Sequence, residues 1–309
     1  MYVLMPTLIE YLVSQNQYQI VNALSSATHP IWDKAEGPTN IVTHYYAEGL
    51  DINEHTCTLH GWKKRQGPVK ILDAILMSTE LDLLEIRLNE LDPVVDRFFI
   101  IESNTTFAGL PKTAVFAANR SRFSKFNKKI NYRLIPGHAL QPGETAFNQE
   151  AGTRDQMTKL LKSYIAEFPP ETQTLVIMSD IDEIPSDNTV ELLRTCDFGQ
   201  AIHPQLRNYI YSWRASVHLW NSNKFYRHGQ SSDTVLADAG WHCSYCFRTI
   251  PEYITKMKGF SHADRIGGHL DLLDPKRIQD TICHGKDIFG MLPEAYSYVD
   301  LFSKMSLEP

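Results

Sequence analysis

No run of apolar residues in this chain reaches the ~18 that a membrane-crossing helix needs. Its first residues, MYVLMPTLIEYLVSQNQYQI, lack a basic segment, and Pro6 and Glu10 interrupt their apolar run. They make a poor secretory leader, so the expectation is a soluble cytoplasmic chain or one with a truncated N-terminus. Positive charge is also short, with 30 Lys and Arg against 36 Asp and Glu and a net charge of −6. That argues against a general nucleic-acid binder, which needs a basic face for phosphates. The local exception is NRSRFSKFNKK, residues 119–129, read as a solvated basic face. Cysteine is scarce: Cys57, Cys196, Cys243, Cys246 and Cys283 are odd in number and widely spaced, unlike a small-domain disulfide framework. The single CxxC, CSYC, has no second pair to complete a structural zinc site and comes too late for a thioredoxin-like motif. Core thiols or one or two disulfides are expected instead. Repeats and low-complexity tracts are missing too. With 309 residues, 43% of them hydrophobic, the chain can bury a sizeable core as one large domain or two modest ones.

Residues 1–68 show weak periodicity and read as an N-terminal extension without an independent core. From Val69 the pattern changes. VKILDAILM reads as a strand, and TELDLLEIRLNELD as a helix with Leu81, Leu84, Leu88 and Leu91 on one face and Thr79 as N-cap. VVDRFFIIE is a second buried strand, followed by the loop SNTTFAGLPK. KINYRLI is a strand, 148–167 a helix, LVIMSD a strand and NTVELLRTC a helix. Such alternation predicts βαβ units on a mostly parallel sheet, whose ligands bind beyond the carboxyl ends of the strands. After residue 200 the chain turns aromatic, and RNYIYSW suggests strands with one face outward.

LVIMSDIDEIPS runs a buried strand into Asp180, Asp182 and Glu183, then Pro185. Three like charges so close call for a positive partner unless they stand in water. A hard divalent cation, Mg²⁺ or Mn²⁺, relieves the repulsion by oxygen ligation and can bridge a diphosphate. A haloacid-dehalogenase-type phosphohydrolase with Asp180 as nucleophile is an alternative. Its motif, however, opens the domain and carries Thr or Val where Ile184 stands, whereas here about 110 residues of βαβ pattern come first. A glycosyltransferase of GT-A type, with a nucleotide-binding half before the DxD and an acceptor half after it, fits that order better.

Three segments then come into register with a known family. ELDLLEIRLNELDPVVDRFFIIESNTTFAGLPK, SDIDEIP and LADAGWHCSYCF occur in the order found in glycosyltransferase family 17 and span about residues 70–260. The chain resembles that family, and with CTLHGW ahead of the domain it is most similar to the fungal branch. The resemblance implies a GT-A-like, Rossmann-like α/β fold with a mostly parallel central sheet and a mixed acceptor-side half. It divides residues 69–309, taken as a single catalytic domain, into a nucleotide-sugar half (69–186) and an acceptor half (187–309). It further implies inverting transfer of N-acetylglucosamine from UDP-GlcNAc, assisted by Mn²⁺ or Mg²⁺, to a glycan acceptor such as the β-mannose of an N-glycan. Animal members work in the Golgi behind a membrane anchor that this sequence does not show.

Carried over by motif, Asp180 and Asp182 match the DxD, with His242 chosen as third metal ligand or diphosphate contact and His262 as its rival. Glu102, Ser103 and Lys112 fall where a nucleotide would lie, Gly109 lets backbone approach a ligand, and Lys112 suits a phosphate. Arg154 and Asp155 are candidates for the diphosphate or uracil, the bland reading of Arg154 being a helical pair with Glu150. Inversion needs a carboxylate to take the acceptor proton. Glu252 and Asp238 rank first, ahead of Glu183 and Asp264. Trp213, Trp220 and Trp241 are candidates for stacking on sugars, the plainer reading being core. Asn104 and Asn119 lie in N-x-S/T sequons, and a glycan on Asn104 would crowd the donor loop. A non-catalytic sugar- or nucleotide-binding relative is the remaining alternative.

Overall fold

Val69–Met77 is apolar on both alternating faces apart from Lys70 near its start and Asp73 at its middle, as suits a strand between two helical layers. In the computed structural model, which describes residues 39–47, 49–207, 215–227, 229 and 231–289, this segment is the third strand, β3. Ahead of it lie β1 (Asn40–Val42), helix α1 (Glu54–Leu59) and β2 (Lys63–Lys64). After it come α2 (Leu81–Leu91), β4 (Arg97–Ser103), a short α3 (Val115–Ala118), β5 (Ile130–Ile135), α4 (Ala146–Ile165) and β6 (Gln173–Met178). The chain continues through β7 (Glu183–Pro185), α5 (Asp187–Thr195), β8 (Cys196–Asp197), β9 (Ala201–Arg207), β10 (Ser216–Leu219) and β11 (Thr234–His242).

The main sheet is ordered β1-β11-β9-β10-β6-β3-β4-β5, with β7 attached to β11, while β2 and β8 form a separate ribbon. β6, β3, β4 and β5 are all parallel. β10 runs antiparallel to β6 and β9, and β11 runs parallel to β9 and β1. The fold is therefore α/β with a mostly parallel sheet and a mixed second half. Alternate strand residues serve two cores. Ile71, Ile75, Phe98, Ile100, Leu175 and Ile177 pack with Leu84 and Leu88 of α2 and Val190 and Leu193 of α5. Leu72, Ala74, Phe99, Ile101, Val176 and Met178 pack with Met157 and Leu161 of α4.

Thr79 does not cap α2. Glu80 takes the N-cap position, and its carboxylate turns back to accept the Thr79 N–H at 2.8 Å. Residues 39–68 are woven into the same unit: β1 pairs with β11, and a Cys57–Cys196 disulfide ties α1 to the start of β8. The CxxC cysteines form a second disulfide, Cys243–Cys246, and Cys283 is free. The stretch RNYIYSW lies outside the described residues save for Arg207 at the end of β9. In the basic segment 119–129, two of the five cations are paired with acids, Arg122 with Asp82 and Glu85 and Lys129 with Asp92.

Two compact units divide the chain, Pro38–Cys246 being the one with the sheet. In the other, the described residues form α6 (Ile250–Gly259), two 3₁₀ turns and α7 (Pro275–Cys283), with Met257, Ile266, Leu272 and Ile278 buried. Pro251 in the first turn and a Thr249–Glu252 capping box start α6. Among the described residues no helix is long and apolar enough to cross a membrane.

Candidate active site

β6 ends at Met178, and the chain must turn sharply to enter β7 at Glu183. The turn closes on itself: Glu183 N–H donates to the Asp180 carbonyl at 2.9 Å, and the Glu183 carboxylate accepts the Asp180 N–H at 3.0 Å. Ser179 Oγ donates to the Glu183 carbonyl at 2.9 Å. β7 then pairs antiparallel with the end of β11, setting Ile184 opposite Trp241 and Glu183 opposite His242. Gly240 permits this ladder, because any Cβ there would meet backbone of residues 184–186. One step on, Cys243 N–H donates to the Asp182 carbonyl at 2.9 Å.

This register brings His242 Nε2 to 3.8 Å from Asp182 Oδ1, with both side chains largely buried. Two residues separated by sixty positions thus meet at the carboxyl end of the central strands. Asp180 points elsewhere. Its part-exposed carboxylate lies 3.5 Å from Arg154 Nη2 of α4, and Arg154 also pairs with Glu150 one turn earlier. Burial alone would lower the Arg154 pKa, but Tyr226, Asp180 and Glu150 outweigh it and raise it, so the guanidinium stays charged. Of the two readings of Arg154, the helical pair with Glu150 is present, and its second partner is Asp180 of the acidic motif. Among the described residues, no three His, Cys, Asp or Glu side chains converge as a ready-made metal cage.

At the ends of β3 and β4 a shallow depression is lined by Ser78, Ser103, Thr105, Thr106, Phe107 and Lys112, among others. Glu102 lies beneath it rather than in it. Fully buried, its carboxylate accepts the Phe116 and Ala117 N–H groups at 3.0 and 3.3 Å and the Tyr132 hydroxyl at 2.8 Å. Lys112 is turned inward, donating to the Ser78 carbonyl at 3.1 Å and lying 3.7 Å from Glu102. Burial lowers its pKa, with Glu102 and Glu80 opposing. Gly109 has φ +75° and sits against the backbone of residues 139–140, so its freedom serves loop packing. Asn104 Oδ1 accepts the Gly137 N–H at 2.7 Å.

The remaining candidates scatter. Asp155 is on the exposed face of α4, away from its neighbour Arg154. Asp238 is exposed at a bulge of β11, with φ 50°. Glu252 binds the Thr249 N–H and hydroxyl in its capping box, and Asp264 and His262 sit at a 3₁₀ turn of the same unit. Trp220 is buried, Trp241 is half exposed, and Trp213 lies outside the described residues.

Sequence reasoning missed the groups behind the turn. Arg87, on the apolar stripe of α2, is completely buried and salt-bridged to Asp73 in the middle of β3 at 2.6 Å. Tyr226 is buried as well, and its hydroxyl donates to the Ala74 carbonyl at 2.8 Å. A lone Arg among Leu84, Leu88 and Leu91, matched by a lone Asp within VKILDAILM, was the available signal.

The model of the family described as glycosyltransferase family 17 matches residues 1–309. Beta-1,4-mannosyl-glycoprotein 4-beta-N-acetylglucosaminyltransferase from Rattus norvegicus is 24% identical over 264 residues, covering 72% of this chain and 48% of that protein. The protein of the same name from Homo sapiens is 24% identical over 224 residues, covering 59% and 42%. The chain thus spans about half the length of the curated relatives it matches. Among solved structures, mannosyltransferase PcManGT from Pyrobaculum calidifontis, in complex with GDP-Man and Mn²⁺, covers 97% of this chain and 85% of its own. At 12% identity and a TM-score of 0.33, that likeness is too loose to carry an argument.

Proposed function

Because the chain belongs to glycosyltransferase family 17, we propose that it transfers N-acetylglucosamine from UDP-GlcNAc, with inversion, to a glycan acceptor such as the β-mannose of an N-glycan. The sugar transferred and the mannosyl-glycoprotein acceptor follow the names of its relatives, and the UDP carrier follows the resemblance to the family. The observation that carries the site assignment is the 3.8 Å approach of His242 to Asp182 across the β7–β11 ladder. Two ligands on one octahedral cation with bonds of about 2.1 Å stand roughly 3–4 Å apart, so the pair fits a common Mg²⁺ or Mn²⁺. Asp182, His242 and Asp180 would hold that cation, and water and diphosphate oxygens complete the shell of such an ion. When bound, it neutralises the charge that develops on the departing diphosphate.

The chain's own residues supply the rest. The nucleotide lies over the ends of β3 and β4, against Ser103 and its neighbours, while Glu102 and Lys112 brace that floor from below. Arg154 shares its charge between Asp180 and the incoming phosphates. Of the carboxylates considered for the acceptor proton, Glu183 is withdrawn into the turn, and Asp238 is the exposed one in the unit that holds the DxD. Asp238 is our choice, with Glu252 second. Two disulfides support action in an oxidising compartment such as the Golgi. The phosphohydrolase reading has lost its support, since family membership over the whole chain accounts for the DxD in its mid-chain position.

The test is a panel of UDP-sugars and glycan acceptors analysed by mass spectrometry, with and without Mn²⁺. Mn²⁺-dependent UDP release from UDP-GlcNAc, raised by acceptor and lost in Asp182→Asn, is the expected result. UDP binding with no product from any pair would leave only the non-catalytic relative standing.

A further inference from the structure

A guanidinium buried in the apolar stripe of a helix is costly unless each of its donors is matched. Arg87 matches all five. Nε donates to Asp73 Oδ2 at 2.8 Å, and Nη2 to Asp73 Oδ1 at 2.6 Å and Ser179 Oγ at 2.7 Å. Nη1 donates to the Asp180 carbonyl at 2.8 Å and to the Glu183 carbonyl at 2.7 Å. Asp73 anchors one side of the planar fork on β3, and the other side grips both ends of the turn that carries the acidic motif.

We propose that Arg87, held by Asp73, is the positioning residue of the Asp180–Glu183 turn, presetting Asp180 and Asp182 for a divalent cation with a nucleoside diphosphate. This rests on the reading that those two carboxylates hold such a cation. The physical ground is geometric. Between β6 and β7 each of the two carbonyls keeps one donor within the turn, the Glu183 N–H on Asp180 and Ser179 Oγ on Glu183, and a planar, five-donor group behind them reaches both at once and fixes their spacing. A hydrophobic pair of similar volume serves a core as well as a buried ion pair or better. Such a pair makes no bond to the two carbonyls, however. The site therefore loses its preorganisation before the fold loses its stability.

The discriminating experiment pairs folding with metal binding, independent of turnover. Mn²⁺ binding in the presence of UDP is followed by loss of the free-ion electron paramagnetic resonance signal, for the wild type, Asp182→Asn, Asp73→Leu/Arg87→Met and Arg87→Lys. Wild-type binding that Asp182→Asn abolishes establishes the underlying site. The double variant should then melt near the wild type yet bind Mn²⁺ at least about tenfold more weakly. Arg87→Lys keeps the ion pair but not the fork, and should also lose affinity. A folded double variant that binds within about twofold of wild type overturns the proposal. If the double variant fails to fold, undiminished binding by Arg87→Lys overturns it, and failure of both to fold makes Arg87 a core residue only. Wild-type protein that shows no Asp182-dependent Mn²⁺ binding removes the functional reading itself, and this one with it.

Discussion

Gly240→Ala tests the joint on which the candidate site depends. A Cβ at this position would stand 2.2 Å from the Ile184 carbonyl oxygen, 2.6 Å from Pro185 Cα and 2.9 Å from Ser186 N. All three are backbone atoms, so no rotamer change relieves the contact, and β11 must move away from β7 by about an ångström. The residue also has φ +154°, which L side chains rarely adopt. Overpacking costs about 1–3 kcal/mol and the backbone strain a similar amount, less a few tenths recovered from the stiffer unfolded chain. A net loss of about 3 kcal/mol lowers the melting temperature by roughly 6–12 °C for a unit of this size.

Two measurements check this. Thermal unfolding by circular dichroism reads the stability, and amide exchange at Ser186 and Cys243, whose N–H groups donate across the two strands to the Ala239 and Asp182 carbonyls, reads whether the strands stay paired. If β7 parts from β11 locally, the melting loss shrinks but exchange at those amides accelerates. An alanine variant that melts within about 2 °C of wild type and exchanges equally slowly there would refute the argument from close backbone approach.

Other consequences follow from the same geometry. Replacing both Cys57 and Cys196 by alanine opens a loop with a sequence separation of 139. It should cost up to about 5 kcal/mol by loop entropy, and an unchanged urea midpoint would contradict that account. Burial, followed by Lys224, His203 and Arg227, depresses the His218 pKa from 6.5 to about 4. Within that window the unfolded chain holds a proton that the folded one refuses. Stability is thus full above pH 6.5 and falls on acidification, by about 2 kcal/mol at pH 5. His218→Gln should flatten the melting profile between pH 7 and 5, and parallel profiles would exclude His218 as its source. Glu102→Gln takes the charge from a carboxylate accepting three hydrogen bonds and should destabilise by about 2–4 kcal/mol. A melting temperature equal to wild type would show that those bonds need no charge.

The elements with strong periodicity were legible because their burial is two-sided or striped. β3, β4 and β6 read as mostly apolar runs, and α2 showed its leucine stripe. The turn after β6 announced itself by charge. What sequence spacing could not show was which distant residue faces it: His242 meets Asp182 only because β7 reverses and pairs with the end of β11. Lys112 and Glu102 illustrate the opposite error of reading polarity as exposure. A Lys and a Glu beside a glycine-containing loop suggested ligand contact; Glu102 is spent on internal bonds, while Lys112 is drawn inward by its own and still lines the depression. Arg87 escaped notice for a related reason, since a charge on a helix is ordinarily taken for a solvated one unless its buried partner, here Asp73, is already known.

The acidic motif carries three carboxylates in four residues, and the structure relieves their repulsion in three different ways. Asp180 leans toward Arg154, Asp182 stands beside His242, and Glu183 folds back onto the Asp180 N–H while Arg87 holds the carbonyls behind it. In the function proposed above, only the first two serve a cation. Glu183, 1% exposed, has its carboxylate committed to the turn and is sterically shut away from an acceptor hydroxyl. A base must lie within hydrogen-bond reach of the proton it removes. On the proposed reading, the acceptor's proton is then taken by a carboxylate outside the motif, and replacing Glu183 should harm the site by loosening the turn rather than by removing a base.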